Sequence, residues 1–199
     1  MRELIVLCGL PFSGKTTYAR AREAEGARVI SRDAIVEELL RDHTLRERLR
    51  AEAATIADPI SKLYDSRIEN AFNDLLTREY VRHVGEMIRR IDTTPARSPS
   101  TAVEGEKPEV REVIVDGMHL QPLSRSFVAE FPDRHRVALV FPTPVDTCIQ
   151  RFATEPQSGF RATLTPGTIR RLALVFEVPT MSEGFSSVIT VKSKIHAVQ

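Results

Sequence analysis

Gly9-Leu10-Pro11-Phe12-Ser13-Gly14-Lys15-Thr16 matches the pattern G-x-x-x-x-G-K-[ST] at every fixed position. Ahead of it, Leu4-Ile5-Val6-Leu7-Cys8 is a short apolar run suited to a buried parallel strand. Behind it, Thr17-Tyr18-Ala19-Arg20-Ala21-Arg22-Glu23 reads as a helix. Strand, loop and helix are the setting in which this pattern cradles phosphate. The two glycines let several backbone N–H groups point into one concavity, and the helix N-terminus adds about half a positive charge there. Gly9, Leu10, Pro11, Phe12, Ser13, Gly14, Lys15, Thr16 and Thr17 are therefore the candidate nucleotide-binding residues. Lys15 is expected to reach the β- and γ-phosphates as a point charge. The Thr16 hydroxyl is expected to hold Mg²⁺, a hard ion that takes oxygen ligands. A glycine turn carrying a chance lysine is the alternative, and the flanking strand and helix weigh against it.

The 199 residues are 42% hydrophobic and 28% charged, the composition of one globular domain with an ample core. A net charge of +1 neither demands nor excludes a nucleic-acid partner. Cys8 and Cys148 stand outside any metal-ligand spacing and are expected to be reduced and buried. Met1-Arg2-Glu3 and the five apolar residues after it are too short and too acidic for a signal peptide. No run approaches the roughly 18 residues that cross a bilayer, so the expected location is cytoplasmic, with no membrane partner.

Downstream, Arg28-Val29-Ile30-Ser31 is a second strand. It ends at Arg32-Asp33, where the apolar spacing changes to helical through Ile35, Val36, Leu39 and Leu40. Asp33 thus sits at a strand-to-helix junction, where parallel sheets bind ligands, and is a general-base candidate; the competing role is a helix N-cap. Residues 42–91 form a helical insertion, with a second helix opening at Asp58-Pro59. The arginines and histidines of this insertion, Arg41, His43, Arg46, Arg48, Arg50, Arg78, Arg82, His83, Arg89 and Arg90, alternate with acids. They suit an ion-paired solvated face better than a phosphate grip. Gly85 marks a bend or a close contact.

Residues 92–110 are rich in proline, serine, threonine and charge, and are expected to form a flexible loop. Val113-Ile114-Val115-Asp116-Gly117 then gives a strand ending in aspartate. Asp116 is accordingly the candidate acid that holds Mg²⁺ through water, with Met118-His119-Leu120 at the rim of the cleft. His119 has no Cys or His at ligand spacing and is expected to be structural or to contact substrate. A helix over 122–131, a strand over 135–141 and a proline-opened helix over 144–152 continue the alternation. Residues 153–165 make a lid that carries Arg161, with Arg151 at its entrance; either arginine is placed to neutralise charge on a phosphoryl group. A helix from Pro166 and a strand over 187–191 close the chain.

The phosphate loop, Ser31-Arg32-Asp33, Val115-Asp116-Gly117-Met118-His119 and the tail Pro179-Thr180-Met181-Ser182-Glu183-Gly184-Phe185 together resemble P-loop kinases related to phage polynucleotide 5′-hydroxyl kinase, often labelled AAA-family ATPases. The resemblance implies a three-layer α/β P-loop NTPase fold with a five-stranded parallel sheet, and ATP with Mg²⁺ as donor. It makes Asp33 the base, Lys15 and Thr16 the phosphate and metal ligands, Asp116 the Walker B acid, and Arg151 or Arg161 the lid arginine. Arg32 and His119 fall on the acceptor side. Three positions depart from the pattern: Phe12 where relatives often have glycine, His119 where they often have asparagine, and Val36 where the phage enzyme has an arginine.

The expected activity is transfer of the γ-phosphoryl group of Mg-ATP to a hydroxyl, with a polynucleotide 5′-hydroxyl (RNA or DNA) as one acceptor. Seryl-tRNA, suggested by Leu7-Cys8-Gly9-Leu10-Pro11, and a small hydroxylated metabolite are the others. A nucleotide-dependent switch or assembly ATPase is the alternative class.

Overall fold

A computed structural model describes residues 2–56, 64–93, 112–155 and 164–192. Five strands, β1 (Glu3–Cys8), β2 (Arg28–Ser31), β3 (Glu112–Asp116), β4 (His135–Val140) and β5 (Ser187–Thr190), pair in parallel in the order β2-β3-β1-β4-β5. β1 sits in the middle because both its faces are apolar. Leu4, Val6 and Cys8 join one buried cluster, while Ile5 and Leu7 join the cluster on the opposite face. That alternation is what a strand covered by helices on both sides requires.

Helix α1 (Lys15–Ala24) covers one face through Tyr18 and Ala19. The other face is covered by α2 (Arg32–Arg41), α3 (His43–Ile56) and α4 (Tyr64–Thr93). Phe72, Leu76, Tyr80, Val84 and Ile88 of α4 recur every four residues and pack in one cluster with Leu4 and Val6. The helical insertion is thus a layer of the fold rather than an appendage beside it. Its expected helix start at Asp58-Pro59 lies outside the described residues, as do residues 94–110 of the expected flexible loop and 156–163 of the expected lid.

Residues 122–130, expected as an ordinary helix, are instead a run of 3₁₀ turns, Pro122–Glu130. Ser124 and Ser126 each donate a side-chain hydrogen bond to the carbonyl three residues back, at 2.7 and 2.9 Å, which supports the tighter winding. Gly85 of α4 marks the close approach of this segment: a Cβ there would lie 3.3 Å from Glu130 Oε2. A third, smaller apolar cluster joins α5 (Val145–Thr154) and α6 (Pro166–Leu174) to Leu10 and Leu120. No helix among the described residues is long and apolar enough to cross a membrane, and Cys8 and Cys148 are free and buried.

Candidate active site

The chain order reverses at β1, whose neighbours β3 and β4 lead away in opposite directions; the crevice at the carboxyl ends of such strands is where ligands bind. A cleft of about 1160 Å³ opens there. It is lined by Pro11, Phe12, Ser13, Gly14, Lys15, Thr16 and Thr17 of the glycine-bearing loop, by Ser31 and Asp33 after β2, by Asp116 and Gly117 after β3, and by Arg151 of α5. Gly9 and Leu10 lie beneath this lining.

The loop is held from several sides. Gly9, at φ 148°, donates its N–H to Met118 O at 3.0 Å, and a Cβ on it would come within 2.9 Å of Phe141 O. Only glycine fits both the backbone angle and the space. Gly14 is left-handed at φ 103° and caps α1, which turns the first N–H groups of that helix toward the cleft. Thr143 Oγ1 donates to Ser13 O at 2.9 Å. Lys15 is buried, and its Nζ donates to Leu10 O at 2.5 Å and Ser13 Oγ at 3.1 Å. The ammonium is thereby kept inside the loop curve, where a phosphate oxygen competes for the same donors.

Phe12 carries the departure noted in the sequence into the backbone: its φ is 62°, a left-handed value that costs a non-glycine residue about 1–2 kcal/mol. Its ring packs edge-on against Phe152, with centroids 5.6 Å apart, and its carbonyl accepts from Arg151 Nη1 at 3.0 Å. Arg151 therefore lies in the last turn of α5 and against the loop wall, while Arg161 lies outside the described residues.

Ser31 and Asp116 are direct partners in the β2–β3 register, so the two strands end level with each other at the cleft that Asp33 and Asp116 both line. The cap of α2 is Ser31, whose Oγ accepts from Ala34 N at 3.3 Å. Asp33 is thus freed from the capping role that competes with general-base chemistry, and its side chain is half exposed to the cleft. Arg32 does not line the cleft. Its guanidinium lies over the Tyr80 ring, 5.4 Å from the centroid, with Nη1 4.0 Å from Asp33 Oδ1.

His119, expected on the acceptor side, is turned into the core instead. Its backbone is left-handed at φ 45°, and its ring sits between Leu7 and Tyr80. Nδ1 lies 2.8 Å from Leu7 O and Nε2 lies 2.7 Å from Tyr80 Oη. A carbonyl only accepts, so Nδ1 carries the proton and Nε2 accepts from the tyrosine hydroxyl. Burial drives the imidazole pKa down to about 3, helped by Arg32, Lys15 and Arg125 nearby.

Two residues of this region escaped the sequence reading. Tyr80 lies in the same four-residue stripe as Leu76 and Val84, which was its available signal. Arg125 is fully buried and donates to His119 O at 2.8 Å, Glu177 O at 3.1 Å and both oxygens of Glu183 at 2.7 and 2.9 Å. Glu183 also accepts from Thr180 N at 3.0 Å as half of a capping box, and Gly184 follows at φ 97°. The Thr180-to-Gly184 signature in the tail is therefore a clasp that closes, from the surface, on the buried Arg125 behind the site.

The family model described as AAA domain matches residues 4–179, so the chain belongs to that family. No curated protein matches it. Among solved structures, it is similar to a Thermus thermophilus protein at TM-score 0.52 and 16% identity, covering 97% of this chain and 90% of that one. It is similar to shikimate kinase from Bacteroides thetaiotaomicron at TM-score 0.50 and 18% identity, covering 94% and 86%. A gluconokinase from Sinorhizobium meliloti 1021 follows at TM-score 0.48 and 16% identity, covering 96% and 83%. The fold is the three-layer P-loop NTPase-like α/β fold, with its five-stranded parallel sheet between helices.

Proposed function

We propose that this member of the AAA domain family is an ATP-dependent phosphotransferase that moves the γ-phosphoryl group to a hydroxyl acceptor. The observation that carries the reading is the shared cleft of Asp33 and Lys15, with Ser31 taking over the helix cap that would otherwise occupy Asp33. Lys15 and the loop amides bind the phosphates. As the acceptor oxygen bonds to the γ-phosphorus, its proton passes to an Asp33 carboxylate oxygen. The bond from that phosphorus to the β–γ bridging oxygen breaks, and ADP leaves. Arg151, bonded to Phe12 O at the loop wall, or Arg161, outside the described residues, would neutralise phosphoryl charge.

The donor set fits Mg²⁺. Thr16 and Asp116 both line the cleft, and one hydroxyl with one carboxylate suits an ion that keeps most of its ligands as water and phosphate. When bound, Mg²⁺ offsets the charge on the phosphate oxygens.

For the acceptor, a small hydroxylated metabolite is supported over a polynucleotide 5′-hydroxyl or seryl-tRNA. Arg48 and Arg82 share Glu79, Arg82 also bonds Glu86 at 2.6 Å, and Arg89 pairs with Glu130 of the 3₁₀ segment, so these three arginines of α3 and α4 already face acids. A polynucleotide kinase is the second reading, carried by the Ser31-Arg32-Asp33 and tail signatures. It requires acceptor affinity that falls steeply with salt.

The experiment is a screen of hydroxyl acceptors with γ-labelled ATP, run with Lys15→Ala and Asp33→Asn. Transfer is expected to vanish with Lys15→Ala. Asp33→Asn is expected to lower it by roughly 10² to 10⁴ with ATP affinity nearly intact. Label appearing only as free phosphate, at an equal rate in wild type and Asp33→Asn, would favour a switch ATPase.

A further inference from the structure

We propose that Tyr80 and His119 position Asp116 against the phosphate loop, so that α4 sets how tightly the cleft holds Mg²⁺. The inference rests on the phosphotransferase reading and extends its metal site. Both residues act through the turn that follows β3 and are positioning residues.

The β1–β3 ladder ends early. The two strands pair as far as Val6 and Val115, although β1 continues beside β4 to Cys8. Past that point the turn 116–119 takes over. Gly9, the first glycine of the phosphate loop, donates its N–H to Met118 O at 3.0 Å, and Leu7 O accepts from His119 Nδ1 at 2.8 Å. An imidazole thus extends the ladder where strand pairing stops, and the turn that starts at Asp116 is registered on Leu7 and Gly9.

Three contacts hold the ring to this task. A Cβ on Gly117 would lie 2.8 Å from His119 Cε1, so the bare glycine leaves the ring its place. Arg125 donates to His119 O at 2.8 Å and steadies a backbone whose φ of 45° is disfavoured for a side chain. Tyr80 Oη donates to Nε2 at 2.7 Å, which keeps the proton on Nδ1, where Leu7 O needs it. Without that hydroxyl the proton is free to sit on either nitrogen, and one of the two tautomers has no bond to Leu7 O.

The consequence falls on the metal. Asp116 and Thr16 reach the cleft from different segments, the end of β3 and the phosphate loop, and an ion held by both needs them in fixed relation. The bonds to Leu7 and Gly9 fix it. The phosphates depend less on the turn, because loop amides and Lys15 bind them.

The test is Mn²⁺ titration of the ADP-loaded protein, read by the paramagnetic resonance of free Mn²⁺, beside calorimetric ADP affinity in EDTA. Tyr80→Phe is expected to weaken Mn²⁺ about three- to tenfold, the worth of one hydrogen bond. His119→Ala is expected to weaken it about ten- to hundredfold, with metal-free ADP affinity within about twofold of the wild type in both variants. His119→Gln, whose amide can still donate to a carbonyl, should recover part of the loss. In the His119→Ala background Tyr80→Phe should cost nothing more, since its route to Asp116 is the ring. Ile88→Val, in the same buried stripe of α4, should leave Mn²⁺ affinity as it is; a merely structural tyrosine would move with it. Tyr80→Phe keeps the ring and its packing, so it carries the test even if His119→Ala does not fold. Unchanged Mn²⁺ affinity in Tyr80→Phe, or a matching loss of metal-free ADP affinity, overturns the proposal. Asp116→Asn is the reference. If it binds Mn²⁺ as the wild type does, Asp116 is not the metal acid, and the metal reading fails together with the proposal.

Discussion

Tyr80 Oη and His119 Nε2 lie 2.7 Å apart in the core, and the other ring nitrogen of His119 donates to Leu7 O in the central strand. The pair thus joins α4 to β1 directly under the turn that follows Asp116. The bond that Nε2 accepts from the tyrosine hydroxyl requires a neutral imidazole, and burial enforces that state by lowering the pKa to about 3, against the opposing pull of the Leu7 carbonyl.

A pH dependence of stability follows. An unfolded histidine titrates near 6.5, so below that pH the unfolded chain binds a proton that the folded chain refuses until about pH 3. The contribution of His119 is complete above pH 6.5 and is lost on acidification, at up to about 1.4 kcal/mol per pH unit. Urea unfolding at pH 7, 6 and 5 should show this slope in the wild type. In His119→Asn it should be shallower by close to one proton, since the other histidines are common to both chains. Identical slopes would mean that His119 titrates normally in the fold.

The second prediction concerns Phe12. Its left-handed backbone is disfavoured for a side chain, while its edge-on contact with Phe152 contributes roughly 0.5–1.5 kcal/mol. Phe12→Gly removes both terms, so its net effect on stability should be small, within about 1 kcal/mol. Phe152→Ala removes only the compensation and should be clearly destabilising. In a double-mutant cycle, Phe152→Ala should cost less in the Phe12→Gly background by about 0.5–1.5 kcal/mol. Additive effects would show that the two rings are neighbours without coupling.

Most of the framework was legible because it depends on local pattern. The strand Arg28–Ser31 was read with the bounds it has, the phosphate loop was read from eight consecutive residues, and the five strands stand in parallel as expected. The 3₁₀ winding of Pro122–Glu130 was not legible, since over nine residues apolar spacing hardly separates three residues per turn from 3.6. Asp33 was left between cap and base because only the structure reveals that Ser31 takes the cap. His119 was left between a structural and a substrate-contacting role, and the structural one holds for a topological reason. Its partner Tyr80 is 39 residues away, and nothing local says which face of the turn a histidine will choose.

Arg125 was the least legible of all. It sits in Ser124-Arg125-Ser126, a stretch that reads as surface, yet it is fully buried against Glu183, 58 residues later. Burial alone would raise the Glu183 carboxyl. The bonds from Arg125 and Thr180 N overcome it, and the net shift is downward. The guanidinium also ties His119 O to Glu177 O, so one side chain fastens the turn after β3 to the tail. Arg125→Met keeps the volume but leaves a largely buried carboxylate and two carbonyls without this donor, and it should cost about 3 kcal/mol in denaturant unfolding. Glu183→Gln should cost less, because the neutral amide can still accept one of the bonds and leaves a weaker mismatch. The Glu183 contribution is present above its unfolded pKa and is lost as pH falls through the lower folded value, so Glu183→Gln should also blunt acid destabilisation below the ordinary carboxylate pKa, in the lower part of the range in which His119 acts. A loss of under about 1 kcal/mol in Arg125→Met would mean that the clasp is replaceable by packing alone.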